Sequence, residues 1–391
     1  SYEVSEDGLT YTFTMRDGLK WSNGAALDAK DFEYAWKRLA NPDTAADYSY
    51  LCAMFAGYDE TKGLADDDVV ASEDGKTLTV KLAAVTPYFL DLCAFPSFFP
   101  VYQDVVDNNA DWANDAGDNF VTNGAFTLKE WNHDSSMVYV KNPNYWDAAN
   151  VTVDTMNVML TSDDVSAYTA YQNGDLDFID TVPTAEIEAA KKTGELYTVD
   201  NLGTYYAGFN INSKIYADLG LDDEQAAVFR HAICLLIDRQ YIIDTIAQGD
   251  QKIATTFIPE GVTDGNGGEF KNKDYYGTDY DANVEEAKQL LESIGLYDTN
   301  SGALTQPVEF TYLTNNSEAN VKIGEAIQAD LSTVGINLKI DQQEWNVFLN
   351  ARKEGQFDFA REGWIMDYND PINMLEMFTS NSGNNDMQFG K

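Results

Sequence analysis

The stretch FTLKEWNHDSSMVYVKNPNYW, residues 126–146, decides how the chain is interpreted. Residues 126–131 and 137–141 are two short runs rich in aromatic and β-branched side chains, and a polar segment joins them. This pattern predicts a β-hairpin. Asn142-Pro143-Asn144 then predicts a turn that ends the hairpin, because asparagine and proline both favour turn conformations.

Upstream of the hairpin, the sequence predicts two further strands and a helix. Residues 9–15 and 77–82 alternate apolar with polar side chains, which is the period of a half-buried strand. Asp28, with Asp31 three residues later, is a helix-start signal. The helix is expected to end just before Pro42, because proline disfavours the helical conformation in the residue that precedes it.

Strands and helices also alternate along the rest of the chain. Thr86 as a cap and Pro87 at the first helical position predict a short helix over residues 88–92. Helices bounded by strands of four to six residues imply sheets covered by helices, so the predicted fold class is α/β. Residues 153–179 are expected to form one βαβ unit. The other predicted strands are residues 205–212, 308–313, 336–340 and 357–360, and the other predicted helices are residues 222–247, 283–294, 317–334 and 344–353.

The length and the net charge of the chain limit its number of domains and the ligands that it is expected to bind. A chain of 391 residues predicts two or three domains. Its 65 acidic and 25 basic side chains give a net charge of −40. A field of this sign repels phosphate backbones and anionic lipid headgroups, so we expect no nucleic-acid partner and favour cationic or amine-bearing ligands. The most apolar stretch, residues 85–101, is interrupted by three prolines and Asp91, which does not suit a membrane span.

Cysteine and histidine spacing indicates no metal site and no cofactor. Cys52, Cys93 and Cys234 are far apart and form no metal signature, although a disulfide between Cys52 and Cys93 stays open. His133 and His231 belong to no metal motif and are expected to be structural. The sequence also contains no Gly-x-Ser-x-Gly and no Walker loop, so no catalytic residue is predicted.

Several separated motifs, taken together in order, resemble a known family. Asn142-Pro143-Asn144-Tyr145-Trp146 is the strongest, and the other matching segments are residues 17–24, 31–36, 87–90 and 123–126. They resemble the extracytoplasmic peptide-binding proteins of ABC importers, the oligopeptide- and dipeptide-binding group. The resemblance implies a bilobal, periplasmic-binding-protein-like fold (class II, large peptide-binding type) with an extra small subdomain on lobe I.

The resemblance also implies a domain assignment. Residues 1–138 would be the extra subdomain of lobe I, residues 139–205 part of lobe I, and residues 206–391 the second ligand-binding lobe with an incomplete return to lobe I. Family members carry a signal peptide or lipobox and further portions of lobe I at both ends. This sequence lacks them, so it is either a fragment or part of a longer chain, and if the polypeptide ends here lobe I lacks strands. We expect the full-length protein to be extracytoplasmic, in the periplasm or at the cell surface, and lipid-anchored.

Candidate ligand-binding residues lie in residues 357–373, where Arg361, Trp364 and Asp367 are spaced three residues apart. A cation, an aromatic plane and a carboxylate are expected to emerge together from one sheet edge. The resemblance implies that Asp367 holds a peptide α-amine, that Arg361 faces a ligand carboxylate and that Trp364 forms a wall. The alternatives are an internal salt bridge for Arg361 and a core position for Trp364.

Weaker candidates lie near the predicted crossover between lobes, where Tyr205, Tyr206 and Asn212 are assigned contacts with the ligand backbone. Arg230 and Arg239, on the predicted helix over residues 222–247, could bind anions. We expect structural salt bridges for them instead, because carboxylates are in large excess.

The function implied by the resemblance is capture of a peptide between two lobes and its delivery to the membrane permease of an ABC importer. A monomer without enzymatic activity is expected. Two alternatives stay open. The same fold could bind another small amine-bearing ligand or a metal chelate, or the chain could be a carboxylate-dependent hydrolase.

Overall fold

The computed structural model describes residues 1–391 and divides into two compact units. Unit 1 is Ser1–Ser162 and unit 2 is Asp163–Lys391. The assignment of residues 1–138, 139–205 and 206–391 to parts of two lobes stays a prediction. None of the helices combines the length and the apolar character needed to cross a bilayer.

Unit 1 contains two antiparallel sheets. The first has the strand order β1-β2-β4-β3 and the second has the order β5-β6-β7. Its strands are β1 (Tyr2–Val4), β2 (Thr10–Thr14), β3 (Val69–Ala71), β4 (Thr77–Lys81), β5 (Phe126–Asn132), β6 (Ser136–Lys141) and β7 (Thr155–Met159). Its helices are α1 (Ala29–Ala40), α2 (Phe89–Cys93) and α3 (Gln103–Asn108).

Helix α1 confirms the predicted start signal. The Asp28 side chain accepts a hydrogen bond from the Lys30 amide at 2.8 Å, and the Asp31 side chain accepts one from the Asp28 amide at 2.9 Å. These bonds satisfy amides at the helix start that have no partner within the helix. The helix packs against β3 and β4 and buries Trp36, whose indole nitrogen donates to the Phe98 carbonyl at 2.8 Å.

The predicted hairpin is confirmed as β5 and β6, but the predicted cap of α2 is wrong. The hairpin ends at Asn142, which is fully buried. Helix α2 begins at Phe89 after Tyr88, and Thr86 makes no cap. The Thr86 hydroxyl instead donates to the Ala84 carbonyl at 3.1 Å, so its oxygen serves the preceding turn.

Unit 2 is built on one mixed sheet with the strand order β12-β11-β13-β8. Strand β11 runs parallel to β12 and β13, whereas β13 and β8 are antiparallel. The strands of the unit are β8 (Gly203–Phe209), β9 (Tyr297–Asp298), β10 (Ala303–Leu304), β11 (Glu309–Asn315), β12 (Asn337–Gln343) and β13 (Phe359–Ile365). Strands β9 and β10 form a separate small hairpin.

Helices cover this sheet and close a core that includes the fully buried rings of Phe229, Tyr312 and Phe359. The helices of the unit are α4 (Asp164–Asn173), α5 (Ile187–Thr193), α6 (Ile215–Asp218), α7 (Asp223–Leu235), α8 (Arg239–Tyr241), α9 (Tyr280–Ser293), α10 (Glu318–Ser332), α11 (Trp345–Lys353) and α12 (Ile372–Leu375). The predicted strand-and-helix alternation of this half of the chain is therefore largely confirmed.

Two predictions in unit 2 are wrong. Residues 175–179 form no strand, so the expected βαβ unit is incomplete. The Asp175 amide donates back to the Ala170 carbonyl at 2.9 Å after Gly174 adopts a left-handed conformation, so these residues close α4 instead. The long helix over residues 222–247 is interrupted after Leu235, because Asp238 caps a new helix by accepting from the Tyr241 amide at 2.9 Å.

Arg230 and Arg239 also differ from expectation. Neither forms a salt bridge within 4.0 Å. The Arg230 guanidinium lies 5.3 Å from the Tyr216 ring centroid, and that of Arg239 lies 4.9 Å from the Tyr276 ring centroid. Aromatic faces attract cations through their quadrupole, so rings take the place of the expected carboxylates. The three cysteines are free thiols, without the Cys52–Cys93 disulfide that the sequence left open.

Candidate functional site

Strands β13 and β8 position the predicted site residues. Arg361 pairs with Ala207, and Gly363 pairs with Tyr205. Directly opposed residues of an antiparallel pair share a face, and consecutive residues alternate between faces. Arg361 and Tyr205 therefore lie on one face of the sheet, while Trp364 lies on the other face.

This arrangement corrects the expected geometry. The sequence predicts a strand that ends at residue 360, with Arg361 and Trp364 emerging together from its end. Strand β13 instead continues to Ile365, because its pairing with β8 continues to Gly203. An odd spacing along a strand places two side chains on opposite faces, so the structure does not bring Arg361 and Trp364 together.

On the first face, the Arg361 guanidinium lies near two aromatic rings. Its central carbon is 5.3 Å from the Tyr205 ring centroid and 5.7 Å from that of Trp345, at the start of α11. The two rings are 41% and 43% exposed, respectively. Arg361 forms no salt bridge within 4.0 Å, in contrast to the alternative considered from sequence, and its Nε is buried without a hydrogen-bond partner. A guanidinium in this state is suited to bind a carboxylate.

On the other face, Glu362 belongs to an internal charge cluster. Its side chain is 4% exposed, and its Oε2 lies 2.8 Å from Nη1 of Arg352 on α11. Nη2 of Arg352 lies 2.8 Å from Oδ2 of Asp386, so one guanidinium links two acids. Burial raises the pKa of Glu362 to about 8, against the opposing effect of Arg352. The cluster joins β13 to α11 and to the C-terminal segment.

Asp367 lies just beyond the end of β13 and is held by Asn373. The Asp367 amide donates to Oδ1 of Asn373 at 2.8 Å, and Nδ2 of Asn373 donates to Oδ2 of Asp367 at 3.2 Å. Oδ1 of Asp367 makes no hydrogen bond within the protein. Burial raises the pKa of Asp367, and the hydrogen bond from Asn373 opposes that shift. A half-buried carboxylate with one open oxygen is chemically suited to an ammonium group.

Trp364 combines the two roles considered for it. Its indole nitrogen donates to Oδ1 of Asn373 at 3.1 Å. Its ring packs, partly exposed, against a small cluster formed by Ile258, Val262 and Met374. It is therefore in part a core residue, and its remaining surface is open.

The weaker candidates differ in how far internal contacts engage them. Tyr205 shares its face with Arg361. The Tyr206 hydroxyl lies 3.5 Å from Sδ of Met377. Nδ2 of Asn212 donates to the Gln388 and Lys391 carbonyls at 3.3 and 3.2 Å. The assigned contacts of these three residues with a ligand backbone stay predictions.

Trp345 and Asn373 were missed by the sequence reasoning. Trp345 belongs to a different helix from the strand of Arg361, so no spacing connects the two residues. A signal did exist for Asn373. Asp370-Pro371 is a helix-start signal, and a tight turn before a helix can bring residue 373 back beside Asp367.

A helix-covered mixed sheet that presents a guanidinium without a carboxylate partner and a half-buried carboxylate is chemically suited to bind charged organic solutes. Residues 1–386 match the family described as "Bacterial extracellular solute-binding proteins, family 5 Middle", and the chain belongs to this family. The family resemblance and the extracytoplasmic location expected from sequence are thereby confirmed.

Individual relatives agree with this assignment. The chain is 34% identical over 396 residues to the oligopeptide-binding protein OppA of Bacillus subtilis, covering 98% of this chain and 69% of that protein. It is 35% identical over 388 residues to the dipeptide-binding protein DppE of the same organism, covering 98% of this chain and 68% of DppE. A structure of Listeria monocytogenes OppA bound to peptide superposes with a TM-score of 0.86 at 29% identity, covering 100% of this chain and 76% of that one. The predicted periplasmic-binding-protein-like α/β fold class is therefore confirmed.

Proposed function

We propose that this protein is an extracellular receptor that captures peptides and delivers them to the membrane permease of an ABC importer. Family membership supports this function, as do the names of OppA and DppE and the peptide bound to Listeria OppA. The main structural support for this function is the half-buried carboxylate of Asp367, whose Oδ1 makes no hydrogen bond within the protein.

Asp367 would hold the α-ammonium group of the peptide. At about 3 Å and an effective dielectric constant of about 20, the Coulomb attraction is roughly 5 kcal/mol before desolvation is subtracted. This energy is sufficient to orient a peptide. Because every peptide with a free amino end carries the same group, the contact is compatible with many sequences.

Arg361 would receive a ligand carboxylate between the rings of Tyr205 and Trp345. Its guanidinium has no carboxylate partner, which supports this role, since an ion-paired guanidinium would first have to give up that partner. Peptide main-chain groups would supply further hydrogen bonds that are common to all peptides, for which Tyr205, Tyr206 and Asn212 remain the proposed partners. Side chains of the ligand would then contribute little to selection.

We infer that the protein binds peptides without converting them and that it acts as a monomer. OppA and DppE are named as binding proteins and not as enzymes. The two alternatives from sequence, a hydrolase and a receptor for another amine or a metal chelate, are not favoured by these relatives. A lipid anchor in the full-length protein stays a prediction.

Native mass spectrometry of the protein purified from producing cells tests the proposal. We expect a distribution of bound masses that tandem fragmentation identifies as peptides and that disappears after denaturation and refolding. A bound sugar or metal chelate in place of peptides would reject the peptide assignment. Cleavage of added peptides by the purified protein would reject the non-enzymatic one.

A further inference from the structure

We propose that Asn373 is a positioning residue for the amine-binding carboxylate, since its amide fixes which oxygen of Asp367 is presented to the ligand and couples that oxygen to Trp364. The inference rests on the proposed function. It goes beyond it by assigning a role to a residue that does not itself touch the ligand.

The Asn373 side chain is fully buried, and both ends of its amide are used. Oδ1 accepts from the Trp364 indole at 3.1 Å and from the Asp367 amide at 2.8 Å. Nδ2 donates to Oδ2 of Asp367 at 3.2 Å. One side chain therefore connects the aromatic residue and the carboxylate that the sequence singled out.

This arrangement distinguishes the two oxygens of Asp367. Oδ2 accepts the bond from Asn373, and Oδ1 makes no hydrogen bond within the protein. Because Asn373 fixes the carboxylate plane, Oδ1 is presented in one orientation. A carboxylate that is fixed before binding loses less rotational freedom when the ammonium group arrives.

Other contacts hold the backbone of this segment, so the Asn373 side chain is not its only support. Asn369 accepts from the Thr263 amide at 3.1 Å and donates to the Gly261 carbonyl at 3.4 Å. The Asn373 amide itself donates to the Asp370 carbonyl at 3.0 Å. Removing the Asn373 side chain should therefore release the carboxylate without unfolding the segment.

Asn373 also has an electrostatic effect. Burial raises the pKa of Asp367, and the Asn373 amide lowers it by donating to the charged form. Loss of this donor should raise the pKa further. Since amine binding needs the ionised carboxylate, the pH below which binding is lost should move upward.

The experiment measures binding of alanine peptides of three to five residues, with free or acetylated amino ends, by calorimetry from pH 4 to 8. In the wild type we expect a preference for the free amine. In Asn373→Ala this preference should fall about tenfold, the loss expected for one hydrogen bond to a charged group. Asn373→Asp keeps an acceptor for Trp364 but replaces the donor by a negative charge. The preference of Asn373→Asp for the free amine should fall at least as far, and the pH below which binding is lost should move further upward.

The control is Asn142→Ala in unit 1, which removes another fully buried asparagine, one that is bonded to main-chain groups. It should lower thermal stability and leave the preference for the free amine unchanged. In an Asp367→Ala background, Asn373→Ala should cause no further loss of preference. If both Asn373 variants keep the wild-type preference for the free amine and the wild-type pH dependence of binding, the positioning role is overturned. If the wild type binds neither form of peptide, the proposed function itself fails. That result differs from a failure of the positioning role alone, in which the wild type and both Asn373 variants bind peptides with the same preference.

Discussion

Asn142 in unit 1 and Asn373 in unit 2 are both fully buried, but they bind different kinds of group. Asn142 donates to the Gly124 carbonyl at 2.8 Å and accepts from the Asn144 amide at 3.0 Å, and both partners are main-chain atoms. Asn373 also accepts from one main-chain group, the Asp367 amide, but its other partners are the side chains of Trp364 and Asp367. Burial alone therefore does not separate a structural residue from one that supports a binding site. The hydrogen-bond partners of the two asparagines distinguish their roles.

The same contrast extends to the motifs that surround the two asparagines. Around Asn142, the Asn144 side chain donates to the Ser22 carbonyl at 3.0 Å, so the motif that carries most of the family resemblance ties the hairpin to a distant loop. Around Asn373, Oδ1 of Asp367 stays open. One motif is satisfied internally, and the other leaves a charged atom for a ligand.

The largest effect should come from Asp367→Ala. Removing one partner of a close, partly desolvated charge pair costs about 2–5 kcal/mol, so affinity for peptides with a free amino end should fall about 30-fold or more. Calorimetry checks this at pH 7. Asp298→Ala, on an exposed hairpin where the carboxylate accepts from the Asn300 amide, is the matched control and should bind as the wild type does. Unchanged affinity in Asp367→Ala removes the proposed anchor.

Asn142→Ala should show the opposite behaviour, with a loss of stability and no loss of binding. It leaves the partly buried Gly124 carbonyl and Asn144 amide without their partner, which should lower the free energy of unfolding by about 2 kcal/mol. Denaturant unfolding followed by far-ultraviolet circular dichroism measures this. A variant as stable as the wild type would show that the turn does not depend on this side chain.

Arg361→Gln should have a smaller effect that is confined to the other end of the ligand. Loss of the guanidinium should weaken binding of peptides with a free carboxylate about tenfold, on the scale of one charge-assisted hydrogen bond, and should hardly affect their C-terminal amides. Calorimetry with each pair of peptides measures the difference. Equal weakening of both forms would indicate that Arg361 supports the sheet and does not bind the carboxylate.

Glu362→Gln should have the smallest effect on ligand binding, because its effect is confined to the pH dependence of stability. Because burial raises the pKa of Glu362 to about 8, the folded protein binds a proton that the unfolded chain releases at lower pH. Wild-type stability should therefore fall, relative to the variant, as pH rises from 5 to 8, by at most about 1.4 kcal/mol per pH unit. Thermal melts at several pH values measure this. A constant difference between the two proteins would contradict the assigned proton.

Local signals predicted a large part of the fold. Asp28 and Asp31 form their cap from residues three apart, and the hairpin of β5 and β6 is closed by its own turn. The predictions that failed depend on distant partners. Strand β13 extends to Ile365 because β8 pairs with it, and Asp238 donates its amide to Asp330, on α10, beside the break in the predicted long helix.

The candidate site shows the same limit. The three-residue spacing drew attention to Arg361, Trp364 and Asp367, but strand alternation places the first two on opposite faces. Trp345 reaches Arg361 from another helix, a contact that requires the tertiary fold. Asp367 and Asn373 are joined within one turn, and this part of the site was within reach of the sequence.

The central claim is that an α-ammonium group binds Asp367. Calorimetry of the wild-type protein at pH 7, with alanine peptides of three to five residues whose amino ends are free or acetylated, tests it most directly. We predict that peptides with free amino ends bind about 100-fold more tightly, because acetylation removes the charge and leaves the buried carboxylate without a partner. Equal affinity for the two forms would contradict the account.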